Sequence, residues 1–200
     1  MMQSNKSPKI IGLTGGSGSG KSTIGSAAPD SILYIDADKL GQQILLKGKP
    51  AYNELTQLFG DVILGDDGEI DRKKLGAIVF SNSEKLKLLN SVSHRYIMEE
   101  TQRLVDSTDK QGVIVDGAVI IGSIMQDMCD VIVSVLADKE TRIERIIARD
   151  GITREMAEKR IANQPDDKFY VANSDYIIYN NKDTQGVIKE ATEIFRRIMV

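Results

Sequence analysis

The stretch GLTGGSGSGKST, residues 12–23, carries the pattern Gly15-x-x-x-x-Gly20-Lys21-Ser22 directly after the apolar pair Ile10-Ile11. Glycines this dense do not build a helix or strand interior, so the stretch must be a loop joining two elements. A strand before it and a helix after it make the loop a phosphate cradle. Its backbone N–H groups turn inward around phosphate oxygens, and the following helix presents its positive end to the same charge. Gly15, Gly16, Ser17, Gly18, Ser19, Gly20, Lys21, Ser22 and Thr23 are therefore the candidate nucleotide-binding residues. Lys21 is expected at the β- and γ-phosphates, and Ser22 offers its hydroxyl to Mg²⁺, with Thr23 beside it.

The rest of the chain alternates short β-branched runs with longer stretches of helical period, the pattern of an α/β fold with a parallel sheet. Strands are expected at Ile10–Leu13, Ile32–Ile35, Val113–Val115, Val131–Leu136 and Tyr176–Tyr179. Between the second and third strands lie about 75 residues, far more than the dozen or so of a minimal crossover. Their pattern reads as helices over Asp38–Leu46, Pro50–Phe59, Arg72–Phe80 and about Asn82–Val105, with GDVILGDDGEID as a turn-rich joint. Ser81-x-x-Glu84 has the form of a capping box opening the long helix. Asp138 is placed to cap a helix through Ala148 that closes at Asp150-Gly151, and Thr153 to cap another through Ala162. With 200 residues and 41% apolar composition, this is one globular domain carrying an inserted subdomain.

Charge and cysteine content narrow the function classes. A net charge of −3 shows no basic excess, so no nucleic-acid partner is expected. A lone cysteine, Cys129, excludes a disulfide framework and a cysteine-only zinc site. The start MMQSNKSPK lacks an apolar signal segment, and no apolar run reaches membrane-spanning length, so a cytoplasmic protein without a membrane partner is expected.

Several charged residues fall where chemistry is done. The run ILYIDADKL ends a strand in aspartates, and the carboxyl ends of parallel strands are where α/β sheets bind ligands. Asp36 is the candidate general base or Mg²⁺ partner, and Asp38 the cap of the next helix. Asp116 ends the third strand and is placed to hold Mg²⁺ through water, or to cap a turn with Gly117. Arg142, Arg145 and Arg149 share one helix face, opposite Ile143, Ile146 and Ile147. That face is either solvated or turned to neutralise charge on a transferred phosphoryl group. The helix after Gly151 is a candidate lid bringing Arg154 or Arg160 over the nucleotide. His94, the only histidine, lies in the long inserted helix as a substrate-contact candidate.

Two apparent GTPase motifs fail. Asn181-Lys182-Asp183 is one residue short of the guanine-reading spacing, and Asp38-Lys39-Leu40-Gly41 begins a helix instead of following a strand that carries the metal-binding acid. From these residues alone, a kinase for some small alcohol such as a nucleoside and a non-catalytic ATP-binding module both stay open.

In their order and spacing, IIGLTGGSGSGKST, YIDADKL, DRKKLGAIVFSN with SHRYI, ETRIERIIARDGIT with RIANQ, and SDYIIYNN resemble the dephospho-CoA kinase family over almost the whole chain. The resemblance implies ATP-dependent phosphorylation of the ribose 3′-hydroxyl of dephospho-CoA, the last step of CoA synthesis, with Mg²⁺. It implies a P-loop NTPase core with a five-stranded parallel sheet over residues 1–37 and 107–200, a small lid at about 150–166, and a helical CoA-binding insertion over 38–106. Carried over by position, Gly15 to Thr23 bind the ATP phosphates and Asp36 is the base. Lys39 and His94 line the acceptor side, and Arg145 and Arg149 approach the phosphates. The chain departs from the family's pattern after the third strand, where it reads DGAVIIGSIM, and at Arg95, where a proline is usual after the histidine.

Overall fold

The computed structural model describes residues 7–181 and 183–200; Lys182, part of the failed guanine motif, lies outside them. Five parallel strands form one sheet in the order β2-β3-β1-β4-β5. They are β1 (Lys9–Thr14), β2 (Ile32–Asp36), β3 (Gly112–Asp116), β4 (Val131–Leu136) and β5 (Tyr176–Tyr179). The expected strands are all present, and β1, β2 and β3 run one residue further at one or both ends. Every residue of β3 is buried, as are the last four of β1 and the last five of β4. Strands covered on both faces read as continuous apolar runs, which is why periodicity exposed them. After β1 the chain crosses to the β2 side, and after β4 to the β5 side. The carboxyl ends of the adjacent β1 and β4 therefore flank a switch point, where such sheets bind ligands.

Two compact units result, one reaching Asp36 and resuming over Ser107–Val200, the other spanning Ala37–Asp106. In the first, α1 (Lys21–Gly25), α6 (Lys139–Asp150), α7 (Arg154–Ala162), α8 (Asp167–Ala172) and α9 (Thr184–Ile198) surround the sheet strands. Its core joins Ile11, Leu13, Ile114, Val133 and Val135 to Ile24 of α1 and to Val187, Ala191 and Phe195 of α9. Each such large side chain, fully buried, contributes about 1.5–3 kcal/mol of hydrophobic stabilisation. Neither α8 nor α9 is among the helices expected from sequence. The α9 pattern is nonetheless regular: Val187, Ala191, Phe195 and Ile198 make one buried stripe, and Asp183 accepts from the Gly186 N–H at 2.9 Å to open the helix. α6 ends at Gly151, whose φ of 64° supplies the left-handed cap, and Thr153 opens α7 by accepting from the Met156 N–H.

The second unit holds α2 (Ala37–Gln43), α3 (Pro50–Phe59), α4 (Arg72–Phe80) and most of α5 (Ser83–Ser107) around Leu55, Ile63, Leu75, Val79 and Val92. The joint before α4 is a 3-10 turn at Asp61–Ile63 and a bridge between Leu64 and Ile70. Three capping assignments are corrected. The long helix is opened by Asn82, whose Oδ1 accepts from the N–H groups of Glu84 and Lys85 at 3.0 and 3.1 Å. Ser81 instead closes α4, its hydroxyl donating to the carbonyls of Ala77 and Ile78. α2 begins at Ala37, so Asp38 lies in its first turn, where its charge favours the helix dipole without capping. Asp138 precedes α6 without a side-chain cap bond; its N–H donates to Asn181 Oδ1 at 2.8 Å.

Candidate active site

Thr14 ends β1, and the chain turns through Gly15 at φ 143°, Gly18 at 77° and Gly20 at 92°, where L side chains are strained. A side chain at these positions would also strike the Val135 carbonyl, the Arg142 backbone or the Asn180 amide. The loop is gripped from outside by its carbonyls. Arg142 Nε donates to Ser17 O at 2.9 Å, Asn180 Nδ2 donates to Ser19 O at 2.7 Å, and Arg145 Nη1 donates to the carbonyls of Gly18 and Ser19 at 3.3 Å. Within the loop the Ser19 N–H donates to the Gly16 carbonyl at 3.1 Å. Lys21 lies across the loop, its Nζ donating to Gly15 O at 2.9 Å. Ser19 contributes backbone only; its buried hydroxyl has no hydrogen-bond partner among the described residues.

Strand register sets the carboxylates beside this loop. Leu13 of β1, Asp116 of β3 and Asp36 of β2 form one row across the three neighbouring strands. Asp116 is buried, and the Tyr34 hydroxyl donates to its Oδ2 at 2.6 Å. Asp36 is half-buried and Ser22 exposed. No group of three or more His, Cys, Asp or Glu among the described residues could hold a metal by itself. Mg²⁺ fits this donor set, because it keeps waters and takes one or two carboxylates together with substrate phosphates.

The arginine face of α6 divides into three environments. Arg142 is 6% exposed and bonds the loop, while burial draws its pKa down from the ordinary guanidinium value. Arg145 is half-buried and also donates to the Asn180 carbonyl at 3.2 Å. Arg149 is exposed and bonds the carboxylate of Asp150 at 2.7 and 2.9 Å, so the loop receives two arginines of the three. In the candidate lid, Arg160 also bonds Asp150, and Arg154 bonds Glu140 and Glu158. These cations are held among the carboxylates of α6 and α7. α7 packs on α6 through Ile143, Ile146 and Ala157.

Lys39 and His94 belong to the helical unit and are exposed. Next to His94, Arg95 donates to both oxygens of Glu54 and lies 4.7 Å from the Tyr96 ring centre. The Tyr96 hydroxyl and Arg95 hold the Glu54 carboxyl below its usual range. Arg95, on an unbroken 25-residue helix, thus forms an ion pair with Glu54. Cys129 is no candidate nucleophile, since burial and the neighbouring Asp130 push its thiol up to about 12. No helix among the described residues is long and apolar enough to cross a membrane.

Sequence reading missed Gln164, Asn180 and Tyr34, and left Arg142 on a solvated or phosphate-facing side. Gln164 and Asn180 lie in the quoted stretches RIANQ and SDYIIYNN, but nothing local singles them out. Their partners are 147 and 161 residues away in the chain.

Comparison with known proteins points to one family. The sequence model of the family described as dephospho-CoA kinase matches residues 9–186. The dephospho-CoA kinase of Bacillus cereus (strain ZK / E33L) is 36% identical over 94% of this chain and 96% of its own length. That of Fusobacterium nucleatum is 38% identical over 90% and 94%. A crystal structure of a Thermus thermophilus protein aligns with a TM-score of 0.82 at 25% identity, covering 96% of this chain and 98% of the other. The dephospho-CoA kinase of Campylobacter jejuni aligns at 0.62 and 25%, with the same coverage. A Bacteroides thetaiotaomicron shikimate kinase, at 0.52 and 14%, shares the fold. With the family model matching residues 9–186 and relatives at 36–38% identity over at least 90% of the sequence, this chain belongs to the dephospho-CoA kinase family.

Proposed function

We propose that the protein transfers the γ-phosphoryl group of ATP to the ribose 3′-hydroxyl of dephospho-CoA, giving CoA and ADP. The observation that carries this reading is the row Leu13–Asp116–Asp36, which sets two carboxylates beside a loop shaped for phosphate. Family membership supplies the acceptor. In this reading the Gly15–Thr23 loop holds the ATP phosphates, with Lys21 swinging from the Gly15 carbonyl to the β- and γ-oxygens. Asp36 accepts the hydroxyl proton as that oxygen bonds to phosphorus and the bond to the β-phosphate oxygen breaks. Arg145, reoriented from the loop carbonyls, and Arg149, released from Asp150, meet the charge that develops. Ser22, with Asp116 through water, would hold Mg²⁺, which neutralises phosphate charge when bound.

The helical unit, with Lys39 and His94 exposed on it, is assigned the acceptor, and the segment from about 150 to 166 the role of lid. A cytoplasmic location suits the free thiol of Cys129. The test is Asp36→Asn: it retains ATP affinity and loses turnover by about 10²–10⁴-fold, the usual contribution of a general base. Unchanged turnover in that variant would remove Asp36 from the mechanism.

A further inference from the structure

Gly16 is the one glycine of the cradle without a positive φ, so backbone conformation does not explain it. Space does. A Cβ there would collide with Arg142 Nη2, come within 2.8 Å of its Cζ and lie 3.2 Å from Gln164 Oε1. Something has to fit against the loop at that point, and it is a clamp made by these two side chains.

Gln164 follows α7, where its own N–H closes the last turn by donating to Ile161 O at 3.1 Å. Its side-chain Oε1 accepts from the Ser17 N–H at 2.9 Å and from Arg142 Nη2 at 3.0 Å, and its Nε2 lies 3.0 Å from the Ser17 hydroxyl. Both groups facing the oxygen are obligate donors, so only one orientation of the amide serves them. Ser17 is thereby held at three atoms: its N–H and hydroxyl by Gln164, and its carbonyl by Arg142. The two clamping residues come from α6 and from the end of α7, the segment proposed as the lid.

We propose that Gln164 is a positioning residue that couples the α7 segment to the phosphate loop. The role rests on the kinase reading above. Gln164 touches no reacting atom. It fixes Ser17 in the shape that receives triphosphate, and the shape depends on where α7 sits. A lid that moves away withdraws the amide, and the loop loses its preset form.

Direct ATP binding without acceptor, followed by turnover, tests the role in the full chain. Gln164→Met keeps the length of the side chain and removes all three bonds; the dissociation constant for ATP should rise about tenfold, with KM for dephospho-CoA within twofold. Gln164→Glu keeps an acceptor for the Ser17 N–H and for Arg142, and its second oxygen can accept from the Ser17 hydroxyl. It should return ATP affinity to within threefold of the unaltered protein. A merely structural role would lower the melting temperature of Gln164→Met and leave ATP affinity unchanged well below it, and that result overturns the proposal. Equal loss of ATP affinity in the Met and Glu variants overturns it too, because the acceptor oxygens would then not matter. Failure of the kinase reading shows separately, as unaltered protein that binds ATP and leaves dephospho-CoA unchanged.

Discussion

Replacing Gly16 by alanine tests whether the loop's composition is set by side-chain space as well as by backbone conformation. The φ at Gly16 is not positive, so alanine is tolerated by the backbone and should by itself stabilise by about 0.4–1 kcal/mol through the unfolded chain. Against this stands the guanidinium of Arg142, which must move. Its bonds to Ser17 O at 2.9 Å and Gln164 Oε1 at 3.0 Å then lengthen or break. Overpacking of this kind costs about 1–3 kcal/mol, and a bond to a charged donor about 1.5–3 kcal/mol. One displacement causes both losses, so they overlap and do not sum. A net destabilisation of about 0.5–2.5 kcal/mol follows, equivalent to roughly 1–10 °C in melting temperature for a chain of this size. The assay is thermal unfolding followed by circular dichroism in a four-protein cycle with Arg142→Ala. In the Arg142→Ala background the main obstacle is gone and only the 3.2 Å approach to Gln164 Oε1 remains, so most of the loss caused by Gly16→Ala should disappear. An equal fall in melting temperature in both backgrounds would falsify the argument from space.

Two further outcomes are expected. Ser19→Ala removes a buried hydroxyl that has no partner among the described residues, so the variant should be as stable as the unaltered protein or up to about 1 kcal/mol more stable, with ATP affinity within twofold. A large loss of ATP affinity would show that the hydroxyl, and not the backbone alone, meets the nucleotide. Asp150, bonded by Arg149 and Arg160, is held well below the usual carboxylate range. A carboxyl lowered in the folded state adds stability above its unfolded value near pH 4, and this is lost as pH falls toward the folded value. The melting temperatures of the unaltered protein and Asp150→Asn should therefore differ at pH 7, with the gap starting to narrow only as pH falls below about 4 and closing toward the low folded value; a gap that is the same at pH 7 and well below about pH 4 would exclude the ion pairs as its source.

The parts of this fold that could be read from sequence are those whose cause is local. Glycines 15, 18 and 20 announce a turn because each sits at a positive φ, and the buried strands show as apolar runs because both their faces are covered. The insertion was visible as excess chain between β2 and β3. What stayed hidden depends on residues distant in sequence. Whether an arginine on α6 faces water or the loop is decided by what packs over it, and Arg142, Arg145 and Arg149 look alike until Gln164, Asn180 and Asp150 are placed around them. Gly16 hides its reason in the same way, since only its neighbours in space show why it has no side chain. Ser81 was expected to open the long helix, but its hydroxyl is bonded to the end of α4, and the neighbouring Asn82 opens α5 in its place.

Phosphoryl transfer to one acceptor is the step to measure. Purified protein should be given Mg-ATP with and without dephospho-CoA, with ADP measured and the product weighed by mass spectrometry. ADP is expected only when the acceptor is present, with a product heavier by one phosphate. Bound ATP with dephospho-CoA left unchanged would contradict it.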